Sequence, residues 1–261
     1  DHLCQVANIR RSQIKRLAEV KVTTVASLAK LKAGHVKGIG NETLARLKTQ
    51  AELQVYKRST GQNKHVILPP TKSNLSLWAL PEPNPGDLFY DIEGDPLYPD
   101  GLEYLHGVYY LDNGKPVFRE FWAHNHVEER AAFEQLVKFF MDRLAQYPDM
   151  HIYHYASYEQ TALKRLMSKY GTMEAEIDEL LRRGVLVDLY RFVRHNVIIS
   201  EPSYSIKYVE HFYMEREAEL KTAGESVVYY EHYIETQDTT WLDKIRAYNL
   251  EDCQSLRELQ G

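Results

Sequence analysis

Short apolar runs and longer amphipathic stretches divide most of the chain beyond residue 87 into predicted strands and helices. The short runs predict strands over 88–93, 104–111, 116–123, 151–155 and 185–189. Apolar residues at helical spacing predict helices over 127–146, 158–170, 173–183 and about 240–259. Because Asn113-Gly114 favours a tight hairpin, the first three strands are expected to be antiparallel, and the whole pattern predicts a mixed α/β sheet flanked by helices.

The first part of the chain has helical spacing instead. A short helix is expected near 23–31, and the glycine turn Gly38-Ile39-Gly40 precedes a helix that reaches about Val55. Residues 56–86 hold five of the ten prolines, which predicts an extended connector. The sequence therefore predicts a small all-α module over 1–55, a connector over 56–86 and an α/β domain over 87–261.

Charge is distributed unevenly along the chain. Residues 1–80 contain 14 Lys and Arg against 4 Asp and Glu, a balance of +10. The remainder contains 18 against 33, a balance of −15, and the whole chain carries −5. A basic front on an acidic body predicts a module that binds a polyanion, although a solvated helical surface is an alternative explanation of the same composition.

The cysteines and the hydropathy indicate a setting for the protein. Cys4 and Cys253 are far apart in sequence and form no metal-ligand or disulfide pattern. No apolar run approaches the roughly 18 residues that cross a bilayer, and nothing is typical of a signal peptide. We therefore expect a cytoplasmic protein without a membrane partner.

The first predicted strand of the α/β domain ends in two carboxylates, Asp91 and Glu93. Side chains alternate along a strand, so both point to the same side, where they repel each other and lose hydration unless a cation compensates them. A divalent metal would supply that charge; the alternative is a strand that runs out into an acidic loop. On the last predicted helix, Tyr248 and Asp252 lie four residues apart and share one face.

These two pairs of residues resemble motifs of a known family. The Asp-x-Glu at Asp91 and Glu93 and the Tyr-x-x-x-Asp at Tyr248 and Asp252 are similar to the outer motifs of DEDD-type 3′–5′ exonucleases, in the tyrosine-containing branch. The resemblance implies an RNase H-like fold and two Mg²⁺ or Mn²⁺ ions that activate a water for phosphodiester hydrolysis. It also implies that Tyr248 positions this water.

The middle motif of that family is altered here. In place of Asn-x-x-Phe-Asp the chain has Tyr155-Ala156-Ser157-Tyr158-Glu159, which makes Glu159 the expected third ligand. Asp188, at the end of a predicted strand, is the rival, unless it caps a helix or forms an ion pair. Histidines are further candidates, but since carboxylates suffice for a hard ion, a structural role is the simpler interpretation of His151, His154 and His195.

The whole chain more closely resembles the RNase H-like domain of RecB-like nucleases, a group often fused to a superfamily 1 helicase. Five motifs occur in the expected order, at 91–96, 151–159, 187–190, 204–207 and 248–253. Glutamate at position 159 is expected in that group. The resemblance implies a longer protein, with a RecB-like region before Asp1 and a helicase beyond Gly261 or as a partner.

The glycine turn near the start resembles the helix-hairpin-helix of DNA-repair proteins. In that motif, backbone N–H groups of the turn and the next helix N-terminus bind a phosphate regardless of base sequence. The candidate nucleic-acid contacts are Lys37, Gly38, Gly40, Arg46, Lys48 and, on a later helix, Lys207. The alternatives are a turn that packs two helices or contacts a protein, and a solvated lysine at position 207.

Together these features predict a metal-dependent nuclease, specifically a 3′–5′ exonuclease on single-stranded DNA in DNA repair or processing. Its metal ligands would be Asp91, Glu93, Glu159 and Asp252. RNA is an alternative substrate. The competing prediction is a weak or inactive nuclease fold that binds nucleic acid or docks a helicase, because the middle motif is unusual.

Overall fold

The computed structural model describes residues 1–32, 34–73, 75–220 and 222–261. The strands are β1 (His65–Ile67), β2 (Leu88–Asp95), β3 (Leu102–Asp112), β4 (Lys115–Trp122), β5 (Ile152–His154), β6 (Leu186–Asp188) and β7 (Val197–Ile199). The helices are α1 (Arg11–Glu19), α2 (Val25–Ala29), α3 (Asn41–Thr60), α4 (His126–Gln146), α5 (Tyr158–Tyr170), α6 (Glu174–Arg182), α7 (Leu189–Asn196), α8 (Ile206–Val209), α9 (Ala223–Thr236) and α10 (Thr240–Gln260). None of the helices in these described ranges is both long and apolar enough to cross a membrane.

The chain packs as two compact units. The first contains Asp1–Leu80 and Tyr190–Met214, and the second contains Pro81–Leu189 and Glu215–Gly261. The first unit has 17 basic and 6 acidic residues, a balance of +11, and the second has 15 and 31, a balance of −16. The charge asymmetry therefore follows the structural division, even though residues 190–214 lie late in the sequence.

The first unit has a helical core. Leu17 of α1, Leu28 of α2 and Leu44 of α3 are almost fully buried in it, because each helix turns apolar side chains inward. Helix α2 begins after Thr24, whose hydroxyl accepts a hydrogen bond from the Ser27 N–H at 3.0 Å. The unit also contains a two-stranded antiparallel sheet formed by β1 and β7.

A five-stranded mixed sheet forms the centre of the second unit, in the order β4-β3-β2-β5-β6. The strands β2, β3 and β4 are antiparallel neighbours, whereas β5 pairs in parallel with β2, and β6 with β5. The expected hairpin joins β3 and β4, and both Asn113 and Gly114 in its turn have positive φ. The predicted fold class, a mixed α/β sheet flanked by helices, is confirmed.

Side chains of β2 alternate between the two faces of this sheet. Leu88, Tyr90 and Ile92 are buried in the larger core, which α4, α5 and α6 complete. Asp91 and Glu93 therefore point to the other face, where α9 and α10 pack through a second apolar cluster. Helix α10 is thus the element that can bring further side chains to the two strand carboxylates.

Some elements differ from the sequence-based expectations. The helix expected to end at about Val55 continues to Thr60, where Gly61 in the left-handed conformation ends it. The segment 56–86 is therefore helical at its start, and it also contributes β1. Helices α7 and α9 and strand β7 were not predicted, because α7 follows β6 without an intervening turn residue and α9 has only a weak apolar period.

Candidate metal centre

Three carboxylates from two elements meet in the second unit. One oxygen from each of Asp91, Glu93 and Asp252 lies within 4.8 Å of the others. Glu93 and Asp252 are only 5% and 6% exposed, and Asp91 is half-buried. Three negative charges so close together and so poorly hydrated repel one another, so the arrangement favours a cation between them.

The strand and the helix place these carboxylates through their regular geometry. Strand β2 presents Asp91 and Glu93 on one face and has an irregularity in its pairing with β3 directly after Glu93. Helix α10 turns Asp252 and, one turn earlier, Tyr248 towards the sheet, and both are buried. Oxygen donors alone are the ligand set that hard ions such as Mg²⁺ and Mn²⁺ prefer, so the residues present fit the metals expected from the sequence.

Asn249 of α10 fixes the orientation of Asp91. Its Nδ2 donates a hydrogen bond to Asp91 Oδ2 at 2.7 Å, and the Asn249 side chain is fully buried. This close approach depends on Gly107, which lies opposite Asp91 in the β2–β3 pairing. A Cβ at position 107 would lie 1.7 Å from Asn249 Oδ1, so a larger residue would push the helix or the amide away. Cys253 adds a contact, because its Sγ donates to the Gly107 carbonyl oxygen at 3.4 Å.

The chain itself supplies a cation to this centre, Arg216. Its guanidinium forms an ion pair with Asp252 and lies 3.7 Å from Glu251 Oε2. The other oxygen of Glu251 accepts hydrogen bonds from the backbone N–H groups of residues 217 and 218, at 2.7 and 2.6 Å. Glu251 therefore anchors the segment that carries Arg216, and Arg216 offsets part of the negative charge of the centre.

Tyr248 is buried beside the carboxylates, and its surroundings favour the protonated form of its phenol. Burial raises the pKa of Tyr248 well above its usual value, and the charges of Asp252 and Glu93 raise it further, whereas Arg216 lowers it. A protonated phenol can donate a hydrogen bond to a water or to a phosphate oxygen, but it cannot accept a proton as a general base. Its surroundings are therefore compatible with the positioning role that the family resemblance implies.

Glu159, the expected third ligand, is not a member of the three-carboxylate group. It lies in the first turn of α5, a helix that packs on the sheet face opposite to Asp91 and Glu93. Its carboxylate is buried, 3.3 Å from His154 Nδ1. Burial raises the pKa of Glu159 and the nearby Asp188 raises it further, whereas His154 lowers it. His154 thus faces the carboxylate of Glu159, and the role of Glu159 as a metal ligand stays a prediction.

Other residues singled out in the sequence make contacts that stabilise the second unit. Asp188, the rival ligand, accepts a hydrogen bond from the Ala156 N–H at 2.8 Å and so ties the end of β6 to the loop before α5. Tyr158 donates to the carboxylate of Glu103, with its oxygens at 2.9 and 3.1 Å. His151 is half-buried, which lowers the pKa of its imidazole. Asp188 and Tyr158 therefore have partners within the fold, and a ligand role of Asp188 or His151 stays a prediction.

The candidate nucleic-acid contacts lie in the first unit. Gly38, with a φ of 84°, lies in an exposed turn between α2 and α3, and Gly40 directly precedes α3. Lys37 is exposed, whereas Lys48 on α3 and Lys207 on the short helix α8 are half-buried. Two helices therefore flank the glycine turn, and its identity as a helix-hairpin-helix that binds a phosphate stays a prediction.

Arg46 is half-buried, and its guanidinium contacts α7. Its Nη1 donates to the His195 carbonyl oxygen at 2.9 Å. His195, one of the candidate ligands, has its Nε2 3.2 Å from Thr71 Oγ1. Both residues therefore have partners within the first unit.

Two residues of the centre were not singled out from the sequence, Asn249 and Arg216. Asn249 lies inside the Tyr-x-x-x-Asp motif, where an amide directly after Tyr248 was a signal that could have been used. Arg216 gives no comparable signal, because it lies in an irregular segment between α8 and α9. Its role depends on a contact with Asp252, which only the folded chain creates.

The mixed sheet of the second unit brings carboxylates of β2 and α10 together, an arrangement that could hold metal ions for phosphodiester hydrolysis. Residues 88–261 match a family model of the RNase H superfamily, and the chain belongs to that superfamily. This membership indicates a nuclease-type activity and binding of nucleic acid, and RNase H-like nucleases usually use divalent metals. No curated protein and no solved structure matches the chain significantly.

Proposed function

We propose that this protein is a divalent-metal-dependent nuclease that removes 5′-nucleotides from the 3′ end of single-stranded DNA, in DNA repair or processing. The observation that carries the proposal is the group formed by Asp91, Glu93 and Asp252, gathered within 4.8 Å in a member of the RNase H superfamily. The 3′–5′ polarity and the preference for DNA rest on the resemblance of the sequence motifs to DEDD-type exonucleases.

Each residue of the centre has a part in this proposal. The three grouped carboxylates would hold two Mg²⁺ or Mn²⁺ ions, with Glu159 as the proposed fourth ligand. Such ions, when bound, lower the pKa of an attacking water and stabilise the charge on the departing oxygen. Asn249 keeps Asp91 aligned, and the protonated Tyr248 donates a hydrogen bond that orients the water or a phosphate oxygen.

A second candidate function is a catalytically weak or inactive module that binds nucleic acid or docks a helicase. Two observations favour it: Asp252 already forms an ion pair with Arg216, and Glu159 faces His154. A helicase partner rests on the resemblance to RecB-like nucleases alone.

The test uses single-stranded DNA and RNA labelled at either end, with Mg²⁺, Mn²⁺ or EDTA. Wild type is compared with Asp91→Asn and with Asp243→Asn, which removes an exposed carboxylate of the same helix α10. We expect shortening from the 3′ end of DNA with either metal, none in EDTA or with Asp91→Asn, and unchanged cleavage with Asp243→Asn. Wild type as inert as Asp91→Asn in every condition would leave the binding module as the function, and cleavage of RNA alone would change the substrate.

Glu159→Gln tests the fourth ligand separately. If Glu159 holds a metal, the metal concentration that gives half-maximal activity rises, by roughly tenfold or more. If Glu159 serves only as the partner of His154, the variant has a lower melting temperature and an unchanged metal dependence. That second result would remove Glu159 from the ligand set and leave the three grouped carboxylates in place.

A further inference from the structure

The first unit contains a cavity of about 440 Å³ lined by arginines. Arg10 directly before α1, Arg46 of α3, and Arg191 and Arg194 of α7 all reach it, together with His195. No carboxylate occurs among the described residues that line it. The cavity belongs wholly to this compact unit and shares no residue with the carboxylate centre.

Arg46 is held in the cavity wall by backbone contacts. Its guanidinium donates to the carbonyl oxygens of Arg194 and His195, the latter at 2.9 Å, and reaches that of Val197 at 3.4 Å. These oxygens lie at the C-terminal end of α7, where the partial negative charge of a helix favours a cation. Arg46 therefore joins α3 to α7 and fixes the part of the wall from which the α7 arginines extend.

The other three arginines are exposed and face the same space. The Arg194 guanidinium carbon lies 5.8 Å from the ring centroid of Tyr190, which also lines the cavity. The positive charges of these arginines repel one another around one opening. An anion bound in the cavity would reduce this repulsion. Guanidinium groups match the oxygens of a phosphate in a two-point contact, and the rings of Tyr190 and His195 can stack on a base.

We propose that this cavity binds the phosphate group of a nucleotide, either within a nucleic-acid strand or as a free nucleotide. Its volume lies within the roughly 300–1,000 Å³ that is usual for ligand sites. The glycines of the turn, Gly38 and Gly40, do not line it. The surface is therefore a different one from the hairpin that the sequence indicates, and the proposal does not depend on hydrolysis by the carboxylate centre.

The experiment compares two variants with the same loss of charge. The cavity variant carries Arg10→Gln, Arg191→Gln and Arg194→Gln, and Arg46 is kept because its carbonyl contacts join two helices. The control variant changes three exposed arginines of helices and helix ends in the second unit, Arg130→Gln, Arg182→Gln and Arg183→Gln. Both are made in an Asp91→Asn background and measured in EDTA, so that binding is observed without cleavage.

Three probes are titrated: a fluorescently labelled single-stranded DNA, a nucleoside monophosphate and inorganic phosphate. We expect the cavity variant to bind the DNA at least about tenfold more weakly than the control variant. The slope of log K against log salt should become shallower by about 2, since three phosphate contacts are lost. Weakened binding of the monophosphate with unchanged binding of the DNA would identify a free nucleotide as the ligand.

Binding of every probe that is equal in the cavity and control variants overturns the proposal, as does a wild type that binds none of them. Thermal melting by circular dichroism shows whether the variants are folded. If the cavity variant has a lowered melting temperature, the single variant Arg191→Gln is compared with Arg182→Gln instead. The expected loss of DNA affinity is then smaller. Because the measurement is made without turnover, its failure and the failure of the proposed nuclease activity are separate results.

Discussion

Two clusters of like charge, one in each unit, are built in opposite ways. The carboxylates Asp91, Glu93 and Asp252 lie close together and largely buried, and Arg216 neutralises part of their charge. The arginines of the cavity are mostly exposed around an open space, and none of the described lining residues is a carboxylate that could neutralise them.

Solvation explains why the protein tolerates both arrangements. Buried charge costs several kcal/mol unless it is compensated, whereas exposed charge is screened by water and salt. The negative charge of the buried carboxylates therefore has to be compensated within the fold or by a metal. The exposed arginines are solvated by water even when no ligand is bound. Changes in the first should alter chemistry and stability, and changes in the second should alter binding and its salt dependence.

The largest expected contrast is in turnover. Asp252→Asn should lower kcat by about a thousandfold, because a metal ion contributes several kcal/mol of transition-state stabilisation. The cavity variant Arg10→Gln/Arg191→Gln/Arg194→Gln should raise KM and leave kcat within about twofold, since its groups act on binding. Steady-state kinetics with single-stranded DNA and Mn²⁺ measures both. A thousandfold fall in kcat in the cavity variant would show that the two clusters do not have separate roles.

Arg216→Gln removes the internal cation of the buried cluster. We expect the metal-free protein to lose about 3 kcal/mol of unfolding free energy, because Asp252 is left without that ion pair. Manganese should restore more stability to the variant than to wild type, since it then meets no competing cation.

The matched control for this prediction is Arg246→Gln. Arg246 on α10 forms a 2.6 Å ion pair with Glu120 but is 42% exposed, so its loss should cost under about 1 kcal/mol. Urea unfolding in EDTA and in Mn²⁺ gives the values. Equal losses of unfolding free energy in the two variants would mean that the Arg216–Asp252 ion pair contributes no more than an exposed one and that Arg216 does not compensate the centre.

Asn249→Ala tests whether the buried cluster needs an orienting partner. Loss of its hydrogen bond to Asp91 should weaken metal binding about 10- to 100-fold, the usual effect of removing a group that orients a ligand. Titration of Mn²⁺ by calorimetry measures the affinity, with Gln254→Ala on the same helix as the control. An unchanged affinity in Asn249→Ala would show that the carboxylates are aligned without it.

The smallest expected effect concerns His106, a buried titratable residue that lies outside both clusters. Burial lowers the pKa of His106 from 6.5 to about 4, so the unfolded chain takes up the proton first as the pH falls. The stability that a neutral His106 allows is complete above about pH 6.5 and is lost progressively towards pH 4.

Between pH 8 and pH 5, wild type should therefore lose about 2 kcal/mol more unfolding free energy than His106→Gln, which cannot titrate. Urea unfolding across this range measures the difference. Parallel curves for the two proteins would indicate that His106 is hydrated or compensated in the folded state.

The sequence alone predicts those parts of the centre that depend on the local geometry of a single strand or helix. Alternation in β2 placed Asp91 and Glu93 on one side, and a separation of four residues placed Tyr248 and Asp252 on one helix face. The structure brings Asp91, Glu93 and Asp252 together. Each of these two steps used residues that are close in sequence. The expectation that the strand carboxylates and the helix carboxylate meet at one site came from the motif resemblance.

What remained inaccessible depends on contacts between distant residues. Arg216 reaches Asp252 from an irregular segment, and no periodicity marks it. Arg46 is a candidate nucleic-acid contact near the glycine turn, and nothing in the sequence indicates that its guanidinium contacts carbonyl oxygens about 150 residues later in the chain. The pairing of β1 with β7 crosses a similar separation, and it draws residues 190–214 into the first unit.

Gly107 has no chemical part in the centre, yet it sets one of its dimensions. Because Asn249 Oδ1 occupies the volume of the missing side chain, any other residue at position 107 would displace either this amide or α10. A methyl group at this position would therefore alter either the distance between Asp252 on the helix and Asp91 on the strand or the hydrogen bond that orients Asp91. The geometry that the three carboxylates would offer to an ion is therefore adjustable from the middle of a strand, by a residue outside the group of carboxylates.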